Sequence, residues 1–362
     1  MKQDTPMAAM AAGCSALSWS TREGDPLWGR NLDFNRLAAG TAVTYVPAGT
    51  QYHFCGSVME GSQVPETQRQ ARYAAVGTGF LLCPTTPLIY EGVNEAGLMG
   101  GQLYFRGFAH YPQQPEEGKL PIQPPMLVYH VLAQCATVEE AARVLEEQCT
   151  LCAVPLLGTV PPLHWSFTDA SGENMVVESD QEGLHIYRKA MGVMTNSPSY
   201  AWHRLNLLNY AGLRDLDYDT VEYNGDRQEQ CFSGSGAQGL PGDWSSPSRF
   251  VRLSFLRQYG DRGAGEQQGV SRMFRLLQSA AFPLGAVRVS QPGQATELDQ
   301  GEVPFDYTVY TSVMSAKTQR FYWTTYENQR IRCVDLNHLK GKAEPCSFPL
   351  DGEEDILCLT RP

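Results

Sequence analysis

The order of the predicted elements places the strongest constraint on how this 362-residue chain can fold. Its apolar residues are spaced to give strands in the first third, then two helices, further strands, further helices and a last group of strands. This order lacks the regular strand–helix alternation from which parallel sheets are built. It predicts an α+β fold in which helices cover layered sheets, without a linker that would divide the chain.

Turn and cap residues bound the individual segments. Asn94-Glu-Ala-Gly97 is typical of a hairpin turn, and Thr137-Val-Glu-Glu140 of a helix-starting capping box. His110–Pro125, with five prolines, and the Gly-rich Asp215–Ser246 are predicted to be loops. The predicted helices are Met126–Cys135, Thr137–Gln148, Tyr200–Leu213, Ser248–Tyr259 and Glu266–Ala281. The predicted strands are Cys14–Ser20, Leu27–Phe34, Thr41–Val46, Tyr73–Leu82, Leu88–Val93, Leu98–Phe105, Leu163–Asp169, Glu173–Glu178, Leu184–Arg188, Asp306–Ser315, Thr318–Tyr326 and Arg330–Leu336.

Composition argues against several classes of function. The formal net charge is −11 and no Lys/Arg-rich run occurs, so neither a nucleic acid nor an anionic membrane is an expected partner. No apolar run approaches the ~20 residues of a membrane span. The ten cysteines are scattered, which is typical of reduced thiols and predicts a cytoplasmic location.

Two short motifs are weak evidence for a bound metal ion or a bound dinucleotide. Cys149 and Cys152 form a single C-x-x-C, without the second pair or the histidines that a zinc site needs. Gly234-Ser-Gly-Ala-Gln-Gly239 matches a dinucleotide fingerprint but continues into Leu240-Pro241 instead of a helix. We therefore expect neither a metal nor a cofactor.

Cys14 is the residue with the most distinctive chemistry, provided that it becomes the first residue of the chain. A terminal cysteine combines a nucleophilic thiolate with an α-amine of pKa ~7.7–8.0, which can act as its own base. That amine exists only if the bond after Gly13 is cut. A lipoprotein signal ending at Cys14 is the alternative, but the apolar run of Met7–Gly13 is short and strand-like alternation begins at once.

Six separated blocks follow Cys14 in the sequence: Gly29–Phe34, Gly92–Leu98, Leu163–Trp165, Met194–Pro198, Leu240–Phe250 and Trp323–Asn328. Together with Cys14 they resemble one known family, the choloylglycine hydrolases, which include bile salt hydrolases and penicillin V acylases. These proteins belong to the N-terminal-nucleophile hydrolases, so the resemblance implies a four-layer αββα sandwich of two antiparallel sheets. It extends from Cys14 to Leu336.

The resemblance implies a role for the side chains of five residues. Cys14 resembles the nucleophile, and its amine the base. Arg30 resembles the residue beside the thiolate, and Asp33 the carboxylate that holds the amine. Asn196 resembles the side-chain donor to the oxyanion. Arg249 resembles the second arginine of the site.

The second oxyanion donor corresponds to the backbone N–H of Tyr104. This position is typically Asn in bile salt hydrolases and Tyr in penicillin V acylases. The segment Asp215–Ser246, by contrast, resembles the bile salt hydrolases, in which a similar segment reaches into a neighbouring subunit. The substrate class therefore stays open, and the family suggests a homotetramer.

The resemblance also implies how the chain matures. Met1–Gly13 is predicted to be a leader that self-cleavage removes, and 14–362 a single catalytic domain. The expected substrate is a small amide with a bulky apolar acyl group. Two alternatives remain: an amine N-acyltransferase that uses the same thioester, and an unprocessed, non-catalytic binding protein. Taken singly, each site residue could be an ordinary structural residue, and Arg36 and His164 are interpreted in that way.

Overall fold

The computed structural model describes residues 13–54, 67–82, 86–156, 158–288, 299–300 (backbone only), 303–350 and 352–360. The predicted leader, apart from Gly13, lies outside these residues.

The elements follow the predicted order closely. The first half contains β1 (Gly13–Ser20), β2 (Pro26–Phe34), β3 (Leu37–Ala38), β4 (Ala42–Val46), β5 (Gln51–Phe54), β6 (Thr67–Gln70), β7 (Ala75–Leu81), β8 (Pro87–Asn94), β9 (Met99–Tyr104), β10 (Leu120–Ile122), α1 (Leu127–Gln134), α2 (Val138–Glu147) and β11 (Cys149–Leu151). The second half contains β12 (Leu163–Thr168), β13 (Asn174–Asp180), β14 (Gly183–Arg188), β15 (Val193–Met194), α3 (Tyr200–Asn206), β16 (Thr220–Tyr223), β17 (Asp226–Glu229), α4 (Ser246–Tyr259), α5 (Glu266–Gln278), β18 (Val287–Arg288), β19 (Asp299–Gln300), β20 (Phe305–Ser315), β21 (Arg320–Thr325), β22 (Arg332–Asp335) and β23 (Cys346–Pro349).

Two large antiparallel sheets organise these strands. The seven-stranded sheet has the order β15-β1-β2-β20-β21-β22, with β18 paired to β20. The eight-stranded sheet has the order β14-β13-β12-β9-β8-β7-β4-β23. They pack face to face, and Trp28 Nε1 of β2 donates to Ser166 Oγ of β12 at 3.0 Å across the interface.

Helices cover the outer face of each sheet. Met273 and Leu277 of α5 pack against Gly29 of β2 so closely that a Cβ at Gly29 would lie 2.8 and 3.0 Å from them. On the opposite side, Leu132 of α1 packs against Gly92 of β8 in the same manner. The layers are therefore helix, sheet, sheet and helix, which confirms the predicted α+β sandwich.

One irregularity lies between β2 and β20. Leu32 pairs with Tyr310, but the next residue, Asp33, pairs with Thr308, so Val309 is an additional residue on β20. Such a β-bulge changes the direction of the neighbouring side chains. Thr308 is thereby placed opposite Asp33.

Three local predictions need correction. The predicted loop His110–Pro125 contains β10, which pairs in parallel with β11, a long-range contact that local sequence does not encode. The predicted loop Asp215–Ser246 contains the hairpin β16–β17, whose turn residues Asn224 and Gly225 both have positive φ. The predicted helix Tyr200–Leu213 is α-helical only to Asn206.

Among the described residues, no helix has both the length and the apolar composition that crossing a membrane requires.

Candidate active site

Cys14 is the second residue of β1, and its side chain is fully buried. It lies opposite Leu32 of β2, while Gly13 lies opposite Asp33. Because side chains alternate along a strand, Arg30 shares a face with Leu32 and points toward Cys14. Arg30 Nη2 lies 3.2 Å from Cys14 Sγ. The hairpin thus brings two of the predicted site residues together.

Glu91 holds Arg30 in place, and the sequence analysis did not single it out. This fully buried residue of β8 binds Arg30 Nη1 through Oε2 at 2.5 Å. Tyr310 OH donates to both carboxylate oxygens, at 2.9 and 3.1 Å, and Ser312 Oγ donates to Oε1 at 3.3 Å. These bonds satisfy the carboxylate, as a buried ion pair requires. A charged residue next to the Gly92–Leu98 block, within an apolar strand, was the available signal.

Asn196 and Arg249 bind the backbone of Cys14. The N–H of Cys14 donates to Asn196 Oδ1 at 2.8 Å, and Arg249 Nη2 donates to the same oxygen at 2.8 Å. Arg249 Nη1 donates to the carbonyl of Cys14 and, at 2.7 Å, to Ser15 Oγ. Asn196 follows β15 and Arg249 lies in the first turns of α4, so two distant segments meet at one residue.

Asp33 lies on the other side of Cys14, beside the peptide bond to Gly13. Its side chain is fully buried, and Thr308 Oγ1 donates to Oδ1 at 2.5 Å. Asp33 Oδ2 has no hydrogen-bond partner among the described residues, and Arg249 Nη1 lies 4.0 Å from it. A buried carboxylate oxygen without a donor is unfavourable. The site therefore has an acceptor position available near the backbone nitrogen of Cys14.

Tyr104 ends β9 and joins the site to a cavity. Asn196 Nδ2 donates to the carbonyl of Tyr104 at 2.9 Å. The Tyr104 ring and Arg30 line a cavity of about 150 Å³. Most of the other lining residues are apolar, among them Leu32, Phe34, Phe80, Leu88, Leu156 and Leu163. An apolar group placed in this cavity would lie next to the Cys14–Arg30 pair.

Comparison with known proteins identifies the family. The profile of the linear amide C–N hydrolases, choloylglycine hydrolase family, matches residues 14–348. The chain belongs to this family. A bile salt hydrolase/transferase of Lactiplantibacillus plantarum is 33% identical over 94% of this chain and 98% of the relative. A bile salt hydrolase/transferase of Clostridium perfringens is 29% identical over 90% of this chain and 92% of the relative.

A solved structure extends the similarity to the whole fold. The crystal structure of a conjugated bile acid hydrolase variant from Clostridium perfringens superposes with a TM-score of 0.82 at 27% identity. The superposition covers 96% of this chain and 100% of the chain in the crystal structure. The predictions of the family and of the enzyme class, a linear amide C–N hydrolase, are confirmed.

Burial controls protonation in this choloylglycine hydrolase. Desolvation raises the pKa of the Cys14 thiol, although Arg30 acts in the opposite direction. Desolvation also raises the pKa of Asp33 to about 7, against the lowering effects of Arg249 and the Thr308 hydroxyl. In the chain with Gly13 still attached, a neutral thiol therefore faces a permanent cation, and forming the thiolate requires a base.

The two residues interpreted as structural occupy different places. His164 Nδ1 lies 3.2 Å from Glu178 Oε1, and the ring stacks on Phe105 at 4.6 Å, within the core. Arg36 lines the cavity, with its guanidinium 5.3 Å from the centroid of Phe34. Within the described chain, no group of three His, Cys, Asp or Glu side chains is arranged to hold a metal ion.

Proposed function

We propose that Cys14 is the nucleophile with which this hydrolase cleaves the C–N bond of a linear acyl amide. The observation that carries the proposal is the convergence of Arg30, Asp33, Asn196 and Arg249 on this one buried cysteine. A permanent cation next to sulfur favours the thiolate. The cavity next to Arg30 offers a place for the acyl group.

The proposal includes removal of Met1–Gly13. Cleavage would convert the backbone N–H of Cys14 into an α-ammonium, which adds donors to the nitrogen. Asp33 supports this step, because its Oδ2 lacks a donor and Asp33 lies opposite Gly13 in the β1–β2 register. A cation placed beside Asp33 would lower its pKa, now raised to about 7, and keep the carboxylate ionised.

In the mature enzyme the proposed reaction has two stages. The α-amine accepts the thiol proton, and the thiolate attacks the amide carbonyl carbon. An amide nitrogen carries two hydrogens, and Asn196 Nδ2 uses one of them for Tyr104; the second would bind the oxyanion together with the backbone N–H of Tyr104. The ammonium then protonates the leaving amine, and water cleaves the thioester.

We propose conjugated bile salts, the glycine and taurine amides of bile acids, as the substrates. The support comes from the relatives, whose names refer to bile salts at 33% and 29% identity over most of their length. The test is a comparison of kcat/KM on glycocholate, taurocholate and penicillin V with protein that begins at Cys14. Turnover of either bile salt above penicillin V supports the proposal, and no turnover of bile salts rejects it.

Penicillin V is the second candidate, because of Tyr104 and the size of the cavity. The Tyr104 ring forms part of the wall of a cavity of about 150 Å³. A cavity of that size holds a benzene-sized ring, which matches a phenoxyacetyl group. A four-ring steroid would have to extend beyond it. Preferential cleavage of penicillin V in the same assay would select this candidate.

Acyl transfer is a further candidate because both relatives carry the name hydrolase/transferase. In that reaction an amine, instead of water, would capture the Cys14 thioester. Mass spectrometry of the products formed from glycocholate in the presence of an excess of a second amino acid separates the two reactions. A new bile acid–amino acid conjugate would establish transfer.

We also propose a homotetramer in the cytoplasm. The segment from α3 to Phe232 exposes several large apolar side chains, among them Leu208, Leu216, Tyr223 and Phe232 itself. Contact with another subunit would remove this apolar surface from water. The eight cysteines in the described part are all free thiols, as expected for a reducing compartment. Sedimentation velocity of the mature protein tests the assembly.

A further inference from the structure

Phe282, a few residues after α5, is fixed between Thr308 and the active site. Its N–H donates to Thr308 Oγ1 at 2.8 Å, and its carbonyl accepts from the N–H of Thr308 at 3.0 Å. The side chain is only 4% exposed. Thr308 is the residue that also donates to Asp33. The position of the Phe282 ring is therefore coupled to the site around Cys14.

The ring lies directly against Gly13. A Cβ atom built on Gly13 would lie 2.6 Å from Phe282 Cζ, 2.8 Å from Phe282 Cε2 and 3.2 Å from Asp33 Cβ. The backbone of Gly13 does not have a positive φ, so its conformation alone would accept other residues. It is the neighbouring side chains that leave no room for one.

Moving the ring would disturb the site. The guanidinium of Arg249 lies over Phe282, 5.1 Å from its centroid. The same guanidinium binds the carbonyl of Cys14 and Asn196 Oδ1. A side chain at position 13 would thus displace a ring against which Arg249 packs, and Arg249 is the residue that binds Cys14 and Asn196.

We propose that Phe282 and Asp33 form a wall that makes the self-cleavage at Gly13–Cys14 selective for glycine at position 13. The inference rests on the self-cleavage proposed above. In that step the Cys14 sulfur forms a bond to the carbonyl carbon of Gly13, and the C–N bond to Cys14 breaks as its nitrogen takes up a proton. Water then cleaves the Gly13 thioester, which releases a carboxylate at Gly13 and restores the thiol. A bulkier residue displaces the wall and misaligns this attack.

The test follows cleavage of the full chain by intact-mass spectrometry after synthesis. Gly13→Ala should slow the loss of residues 1–13 by about 10- to 100-fold, the range that overpacking of a tight site produces, and Gly13→Val should prevent it. Phe282→Leu shortens the wall, so in that background Gly13→Ala should slow cleavage less than about threefold relative to Phe282→Leu alone. Gly212→Ala, at a position with open space around its Cα, is the matched control and should cleave at the normal rate.

Three outcomes would overturn the inference. The first is cleavage of Gly13→Ala at the normal rate, and the second is an effect of Gly13→Ala that Phe282→Leu leaves undiminished. Cleavage of Cys14→Ala would show that another protease removes the leader. A chain in which Met directly precedes Cys14, with that Met removed by the host aminopeptidase, separates this result from the proposed function. If that chain hydrolyses no acyl amide, the function fails, whatever happens at position 13.

Discussion

Cys14 and Cys149 are two buried thiols that each contact a basic side chain, yet they differ in chemistry. Cys14 Sγ lies 3.2 Å from Arg30, and Cys149 Sγ lies 3.7 Å from His130 Nε2. Tyr52 OH contacts His130 Nδ1 at 2.9 Å. Cys149, His130 and Tyr52 thus form a second cluster, in which a thiol contacts an imidazole that a third group orients, as expected of a nucleophile and its base.

The difference lies in charge. Desolvation lowers the pKa of His130 to about 4, so the imidazole is neutral near pH 7. Desolvation likewise raises the pKa of Cys149 to about 12, which keeps the thiol protonated. Arg30 is charged at any accessible pH and is anchored by Glu91. A Cys–His contact alone is therefore weak evidence of catalysis, whereas a fixed cation beside an open cavity is stronger evidence.

Replacing each cysteine is the most direct way to break this comparison. In chains that begin at residue 14, Cys14→Ala should lower kcat/KM for the acyl amide by at least about 10³-fold, because the nucleophile is lost. Cys149→Ala should change it by less than about twofold. Steady-state kinetics on the best substrate checks both. A large loss in Cys149→Ala with the fold intact by circular dichroism would contradict the distinction.

Each of the two cysteine clusters also contains an amide side chain, and these two amides give a second contrast. Asn196→Ala should lower kcat by about 10²- to 10³-fold, the usual effect of removing an oxyanion donor. Gln134, whose Nε2 donates to Tyr52 OH at 3.0 Å, is the matched amide of the second cluster. Gln134→Ala should leave kcat within about twofold of the unmodified enzyme. Equal losses in the two variants would mean that Asn196 acts through structure only.

Replacing Glu91, which anchors Arg30, should have a smaller effect on kcat. Glu91→Gln keeps the shape of the side chain but removes the charge that binds Arg30 Nη1, so kcat should fall about tenfold while KM changes by less than about twofold. Ser312→Ala removes only the long 3.3 Å bond to Glu91 and is the control. A change in KM without a change in kcat would assign Glu91 to substrate binding instead.

In the uncut chain, Asp33 of the Cys14 cluster and His130 of the Cys149 cluster should change the free energy of unfolding in opposite directions as pH rises. Asp33 has an ordinary pKa of 3.8, raised to about 7 on folding, so the folded state keeps a proton that the unfolded state loses, and stability falls as pH rises through this window. His130 has an ordinary pKa of 6.5, lowered to about 4, so its contribution to stability rises between those values.

Urea unfolding between pH 4.5 and 6.5 measures both effects. Asp33→Asn should make the slope of unfolding free energy against pH more positive, and His130→Gln should make it more negative. Each change is at most about 1.4 kcal/mol per pH unit, the value for one proton. An unchanged slope in either variant would show that the replaced group titrates normally in the folded chain, and a change of the opposite sign would contradict the direction of its pKa shift.

Most strands and helices could be predicted from the sequence because neighbouring residues determine them. The alternation in Cys14–Ser20 and the short connection to β2 bring Arg30 and Asp33 near Cys14 through simple hairpin pairing. Asn196, 182 residues from Cys14, could be placed only through the family resemblance, because no local pattern encodes that contact.

Other parts of the site depended on packing between distant strands. Glu91 lies on one sheet, whereas Arg30 and Tyr310 lie on the other, so its role appears only when the two sheets meet. The β10–β11 pairing is of the same kind. The β16–β17 hairpin is different, since Asn224-Gly225 is a strong turn signal within a segment whose Gly-rich composition predicts a loop.

The bulge at Val309 has a consequence for changes in chain length. Val309 lies between two residues of β20 that donate hydrogen bonds to the site. The Tyr310 hydroxyl donates to Glu91, and the Thr308 hydroxyl donates to Asp33. Deleting this one residue would keep both pairings but would remove the bend of β20 between the Thr308 and Tyr310 hydroxyls. Substitutions at position 309 can keep the backbone count, but a one-codon deletion cannot, so the length of β20 is as much a part of the catalytic apparatus as the identity of its side chains.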